Sequence, residues 1–242
     1  MANRYKAIFF DVGQTLVYPH PSPAEIMAGI CREMGYAVEA GEIERAERAV
    51  GPRVLERQSS DGDLYSISME NSRRFWTWVY GEILEELKAP PELRDDLAVR
   101  FHERFNTIET WRLFPDAIPA LEAIQPYREA GLVVGIISNW EDWLETLLAE
   151  LKVDAFFDFA IVSASVRLEK PDPAIFHAAL ERAGVRAEEA LHVGDSVHAD
   201  VGGARRVGIT PVLIDRRGRH APETVGDAIV VRSLAEVVPL VG

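Results

Sequence analysis

Four short stretches of this 242-residue chain carry side chains suited to chemistry. Asp11 and Thr15 lie in DVGQTL, Ser138 and Asn139 close IISN, Lys170 stands in LEKPD, and Asp195 and Asp200 belong to GDSVHAD. Taken singly, each stretch has a plain structural reading. An Asp and a Gly after an apolar run make a turn, Ser138-Asn139 would cap a following helix, Lys170-Pro171-Asp172-Pro173 would lead into one, and Gly194-Asp195-Ser196 would be a turn before another. Taken together they form a phosphoryl-transfer set. One carboxylate serves as nucleophile, two hydroxyls and an ammonium hold phosphate oxygens, and further carboxylates bind Mg²⁺, which would let anionic Asp11 approach an anionic phosphate.

Such a set works only if the fold brings its members together. Short apolar runs at 5–10, 132–137, 159–162, 190–193 and 211–214 alternate with helical patterns at about 116–130, 141–151, 173–183 and 198–207. This alternation predicts an α/β fold, a mostly parallel sheet covered by helices. Ligands of such sheets bind at the carboxyl ends of the strands, and every expected strand but the last is followed by polar candidates. Between the first and second runs the texture is purely helical. Ser22-Pro23-Ala24-Glu25 reads as a capping box with Pro at the first helical position, and Gly35 closes that helix. Ile43, Ala46 and Val50, then Phe75, Val79 and Ile83, then Leu93, Leu97, Phe101 and Phe105 recur at helical spacing. Residues 18–111 therefore read as an inserted helical domain, with 1–17 and 112–242 forming the core domain. The run 59–63, SSDGD, reads as an exposed loop within the insertion.

Composition narrows the partners. With 48% hydrophobic residues the chain can bury one sizeable core, or a core and a smaller second one. Its 39 acidic residues against 26 Lys and Arg give a formal charge of -13, which disfavours binding nucleic acid or anionic membrane by bulk charge. No stretch approaches membrane-spanning length. The single cysteine, Cys31, reads as a core residue of the first helix and suits a reducing, cytoplasmic setting. His192 and His198 are assigned to packing or solvent.

In this order the four stretches resemble the motifs of the haloacid dehalogenase-like (HAD) hydrolase superfamily, in the subgroup with a helical cap and a GDxxxxD fourth motif. The resemblance covers the whole chain. It implies a Rossmann-like core with a cap at 18–111 and a magnesium-dependent phosphatase of a small phosphorylated metabolite, working through an aspartyl-phosphate. Carried over by position, Asp11 would attack phosphorus. Asp11, the Gly13 carbonyl and Asp195 would hold Mg²⁺, and Asp200 would bind it through water or orient its shell. Thr15, Ser138, Asn139 and Lys170 would hold the transferring group.

One position departs from the pattern. Phosphatases of the family usually read DxDxT, and the second Asp protonates the leaving oxygen and then activates water; here that residue is Gly13. General acid–base help is worth roughly 10²–10⁴-fold, so its loss falls hardest on poor leaving groups and least on acyl or aryl phosphates. Gly13→Asp is expected to favour alkyl phosphates. His20 is the nearest substitute acid in sequence, and it reads as a solvated loop residue. Two alternatives accompany the phosphatase reading: a metal-independent 2-haloacid dehalogenase-like enzyme, and a catalytically weak binding or regulatory protein.

Overall fold

The computed structural model describes residues 4–58 and 64–242, so the expected loop at 59–63 lies outside the described residues. Its centre is strand β1 (Ala7–Phe10), wholly buried. After β2 (Val17–Pro19) and β3 (Trp111–Leu113), which pair as a small separate sheet, come β4 (Val133–Ser138), β5 (Phe159–Val162), β6 (Ala190–Gly194), β7 (Thr210–Ile214) and β8 (Ile229–Val231). The main sheet has the order β5-β4-β1-β6-β7-β8, and every pairing in it is parallel. This is the parallel α/β sheet that the alternation predicts and the Rossmann-like core that the family resemblance implies. Continuous apolar runs are what strands covered on both faces require.

The short edge strand β8 is not anticipated by the sequence reading. Three residues pairing only with β7 give too little pattern to separate from a loop. A second correction concerns β7, whose end was read as lacking polar chemistry. Asp215, which follows it, is buried and accepts from the backbone N–H groups of Arg219 (3.0 Å) and His220 (2.8 Å).

Helices α1 (Pro23–Glu33), α2 (Ala40–Gln58), α3 (Met69–Glu86) and α4 (Pro91–Phe105) make up most of one compact unit, Pro19–Arg112. The capping box at its start is complete. Ser22 Oγ accepts from the Glu25 N–H at 3.3 Å, and Glu25 Oε2 accepts from the Ser22 N–H at 2.9 Å. Gly35, at φ +81°, takes the left-handed conformation that ends α1. Cys31, Ile43, Val50, Phe75, Val79, Ile83, Leu97 and Phe101 form one apolar core, to which each fully buried Leu or Phe contributes ~1.5–3 kcal/mol. Arg53 pairs with Glu82 at 2.8 Å, and the Arg57 guanidinium lies 4.2 Å from the Trp78 ring centre, so both arginines are engaged within this unit.

The other unit comprises Met1–Tyr18 and Leu113–Gly242 and contains the main sheet. Its helices are α5 (Ala117–Glu129), α6 (Leu144–Glu150), α7 (Ser163–Val166), α8 (Pro173–Ala183) and α9 (Gly203–Val207), the last preceded by a π-helical turn at Val197–Gly202. From β1 the chain goes to β4 and β5 on one side, then returns to β6 on the other. That reversal opens a crevice at the carboxyl end of β1, where such sheets bind ligands. Register sets its depth, because Phe10 is level with Ile136 on β4 and Val193 on β6. Asp11, Ser138 and Asp195 each follow within two residues of that level.

Candidate active site

Asp11 stands one residue past β1, its N–H bonded to the Val193 carbonyl at 2.9 Å. The chain then turns tightly: Gln14 sits at φ +56° and donates its N–H to the Val17 carbonyl at 2.7 Å, and Leu16 and Val17 both bond back to Val12. The turn folds Thr15 over Asp11, with Oγ1 3.3 Å from Asp11 Oδ2. From the end of β4, Ser138 Oγ donates to Asp11 Oδ1 at 3.0 Å. Lys170, in the loop between α7 and α8, reaches the same oxygen with Nζ at 2.7 Å and donates to Asp200 Oδ1 at 2.6 Å. Asp11, Thr15, Ser138, Lys170 and Asp200 are all buried.

Asp200 reaches this cluster from the π-helical turn. Its Oδ2 accepts from the Ser196 N–H at 2.9 Å, and a Cβ on Gly194 would run into the Asp200 carboxylate, so only glycine fits at that strand end. Asp195 completes the group. Asp11, Asp195 and Asp200 each offer one oxygen, and the three oxygens lie within 4.8 Å of one another.

The electrostatics follow from burial. Desolvation would hold the Lys170 ammonium down, but Asp11 and Asp200 overcome it and raise its pKa above the ordinary value, so it stays charged. Burial also pushes Asp11 up, against the pull of Lys170 and with the repulsion of Asp200. At Asp200 burial acts in the same direction but loses to Lys170 and His192, and the carboxyl is held well below the usual range. No cation contacts Asp195 among the described residues. Desolvation first, then the charges of Asp11 and Asp200, push it up to about 8.

Three carboxylates sharing one ammonium thus leave an excess of buried negative charge, which raises both Asp11 and Asp195. A hard divalent cation beside the three oxygens would relieve the same excess and return Asp195 to its ionised form. An all-oxygen donor set with one carboxylate short of a partner fits such an ion.

Asn139, expected to contribute a donor to the phosphate, also holds the loop that carries Lys170. Its amide oxygen accepts from the Lys170 N–H at 2.7 Å and its amide nitrogen donates to the Lys170 carbonyl at 2.9 Å. It therefore fixes the loop carrying the ammonium, and the cap of α6 is Trp143. The turn readings of the other stretches survive beside the chemistry; Asp172, for instance, caps α8 through a 2.8 Å bond to the Ala174 N–H.

Three contributors escape the sequence reading. His192, there assigned to packing or solvent, is a buried β6 residue whose Nε2 lies 2.9 Å from Asp200 Oδ1. Burial holds its pKa below the ordinary imidazole value even though Asp200 pulls the other way, so the neutral ring donates from Nε2. A lone polar residue on an apolar strand was the available signal. Arg216, just past β7, donates to the Thr15 carbonyl at 2.8 Å and to Asp116 Oδ2 at 2.9 Å, with its guanidinium 3.7 Å from the Phe114 ring centre. It clamps the turn after β1 to the segment leading into α5. Trp140, directly after IISN, lies against Gly13. His20 is exposed, its N–H bonded to the Thr110 carbonyl at 2.7 Å.

Known proteins share this pattern. The family model for haloacid dehalogenase-like hydrolases matches residues 5–208. Haloacid dehalogenase-like hydrolase domain-containing protein 3 of Mus musculus is 31% identical over 218 residues, covering 88% of this chain and 84% of that protein. Glyceraldehyde 3-phosphate phosphatase of Methanopyrus kandleri is 32% identical over 228 residues, covering 89% and 85%. Among solved structures, a HAD phosphatase from Thermococcus onnurineus superposes with a TM-score of 0.62 at 25% identity, over 98% of this chain and 97% of that one. With its sheet order, its strand-end carboxylates and a family match across most of its length, the chain belongs to the haloacid dehalogenase-like hydrolases.

Proposed function

We propose that the protein is a magnesium-dependent phosphatase of a small phosphorylated metabolite, acting through an aspartyl-phosphate on Asp11. The reading rests chiefly on one observation: the Asp11 carboxylate receives two hydroxyls and an ammonium within 3.3 Å while two further carboxylates stand beside it. A relative named as a phosphatase agrees with it.

In the first step an Asp11 oxygen attacks phosphorus and the P–O bond to the leaving group breaks, that oxygen keeping the bonding pair. In the second, water attacks the phosphorus of the aspartyl-phosphate, the bond to Asp11 breaks, and phosphate and the free carboxylate are returned. Thr15, Ser138 and Lys170 hold the transferring oxygens, Asn139 and His192 position Lys170 and Asp200, and Lys170 balances charge that builds on the phosphoryl group. Mg²⁺, held by Asp11, Asp195, the Gly13 carbonyl and, directly or through water, Asp200, would neutralise the repulsion between nucleophile and phosphate. With glycine at 13, leaving groups that depart as anions without help are favoured: acyl and aryl phosphates. The helical unit is the proposed cap that selects the substrate.

No helix among the described residues is long and apolar enough to cross a membrane. Cys31, the chain's one cysteine, is buried, which suits the proposed cytoplasmic setting. Metal-free attack on a 2-haloacid is disfavoured, because the ionised carboxylate of Asp200, with an oxygen within 4.8 Å of one on Asp11, would repel the substrate carboxylate.

The purified protein is expected to hydrolyse p-nitrophenyl phosphate in the presence of Mg²⁺, to stop on chelation with EDTA and to resume when Mg²⁺ is restored. A folded protein with no such turnover would favour the binding or regulatory alternative, and halide release from a 2-haloacid without metal would favour the dehalogenase.

A further inference from the structure

The sequence shows that Gly13 lacks an acid; the structure shows what stands in its place. A Cβ on Gly13 would lie 3.3 Å from Trp140 Cζ3 and 3.9 Å from Cε3, tighter than an ordinary contact at the first atom. The six-membered ring of the indole therefore stands against the Cβ position of residue 13, and a side chain there needs it to give by a few tenths of an ångström. Packing around Trp140 opposes that shift. The residue is only 7% exposed, its ring meets Trp143 edge-on with centroids 5.4 Å apart, and its backbone is fixed by Ser163 Oγ, which accepts from the main-chain N–H and donates to the main-chain carbonyl, each at 3.0 Å.

We infer that Trp140 is a specificity-determining residue: its indole crowds the position from which an acid at residue 13 would extend and so helps confine the enzyme to phosphates with good leaving groups. The inference rests on the phosphatase reading. When the P–O bond breaks, the leaving oxygen takes the bonding pair and must depart as an anion that water protonates, because Gly13 carries no acid to deliver a proton. An aryl oxide or carboxylate tolerates this and a sugar alkoxide does not. The glycine and the tryptophan are thus one exchange, and Gly13→Asp alone will not restore the missing function, contrary to what position 13 suggests by itself.

The test compares wild type, Gly13→Asp, Trp140→Leu and the double variant, each assayed with p-nitrophenyl phosphate and with glycerol 3-phosphate. Gly13→Asp alone should change glycerol 3-phosphate turnover by less than about threefold and should disturb the near-ultraviolet circular dichroism as the indole is pushed aside. Against Trp140→Leu, the double variant should gain roughly 10²-fold on glycerol 3-phosphate, with much less gain on the aryl ester and a new ionisation in its kcat/KM–pH profile. If the Leu variants do not fold, Gly13→Asp with Trp140→Phe replaces them and should give a smaller gain of the same kind. Full gain from Gly13→Asp alone, or no gain from a folded double variant that still turns over p-nitrophenyl phosphate, overturns the inference. If no protein in the set hydrolyses p-nitrophenyl phosphate, the phosphatase reading itself fails and the inference falls with it.

Discussion

Asp11→Asn is expected to lower p-nitrophenyl phosphate turnover by about 10⁴-fold or more while leaving the fold intact. The amide preserves the volume of the buried carboxylate and one acceptor for Lys170 and Ser138, but it is not a nucleophile. The effect on stability separates catalysis from structure. Asp11 has a folded pKa raised above its ordinary value, so its contribution to stability is present at low pH and is lost as pH rises through the folded value. Near neutral pH its charge is a burden on a site already holding Asp195 and Asp200. The asparagine variant should accordingly melt at or above the wild-type temperature at pH 7–8. A variant both inactive and markedly less stable would point to a structural role for the carboxylate.

Removing the ammonium should have the opposite signature. Lys170→Met leaves Asp11 and Asp200 buried without their shared partner, and deleting one member of a buried ion pair costs about 3–5 kcal/mol. The sign of the pH dependence can be assigned. In the wild type, Asp200 has a depressed folded pKa, so its contribution is present above the ordinary carboxylate range and is lost as pH falls through the folded value. In the variant that depression is largely gone, since only His192 and the Ser196 N–H still hold the carboxylate. Wild type and Lys170→Met should therefore differ most near neutral pH and draw closer by pH 4, where the unpartnered carboxylates of the variant take up protons while Asp200 of the wild type stays ionised. Denaturant melts at pH 7.5 and pH 4 measure this; an equal difference at both would show that lost packing, not lost charge, is responsible. Turnover should also fall steeply, because the transferring group loses its cation.

How legible this site is in the chain depends on where each part is encoded. The parallel sheet is written in continuous apolar runs, and β5 and α8 fall where those runs and caps put them, because burial on both faces leaves little freedom in composition. Asp11, Ser138, Lys170 and Asp200 can be grouped because each follows a strand, and parallel strands bring their ends to one edge. What resists reading depends on register and direction. That Trp140 covers Gly13 follows from β1 lying beside β4 with Phe10 level with Ile136, a pairing no local pattern announces. The bond from His192 to Asp200 requires the π-helical turn that swings Asp200 back over Gly194. The pairing of the Asn139 amide with the Lys170 backbone spans 31 residues and is not announced by the side-chain type.

The central claim is a covalent phosphoryl group on Asp11. With no acid–base side chain at position 13 to activate water, breakdown of the aspartyl-phosphate should be slow relative to its formation from an aryl phosphate. Rapid mixing with p-nitrophenyl phosphate and Mg²⁺ should give a burst of p-nitrophenol close to one per active site. Acid quenching during the burst, followed by mass spectrometry, should find phosphate on the peptide containing Asp11 and none in the Asp11→Asn protein. Steady turnover without a burst and without phosphate on that peptide, or phosphate on another residue, would contradict the account.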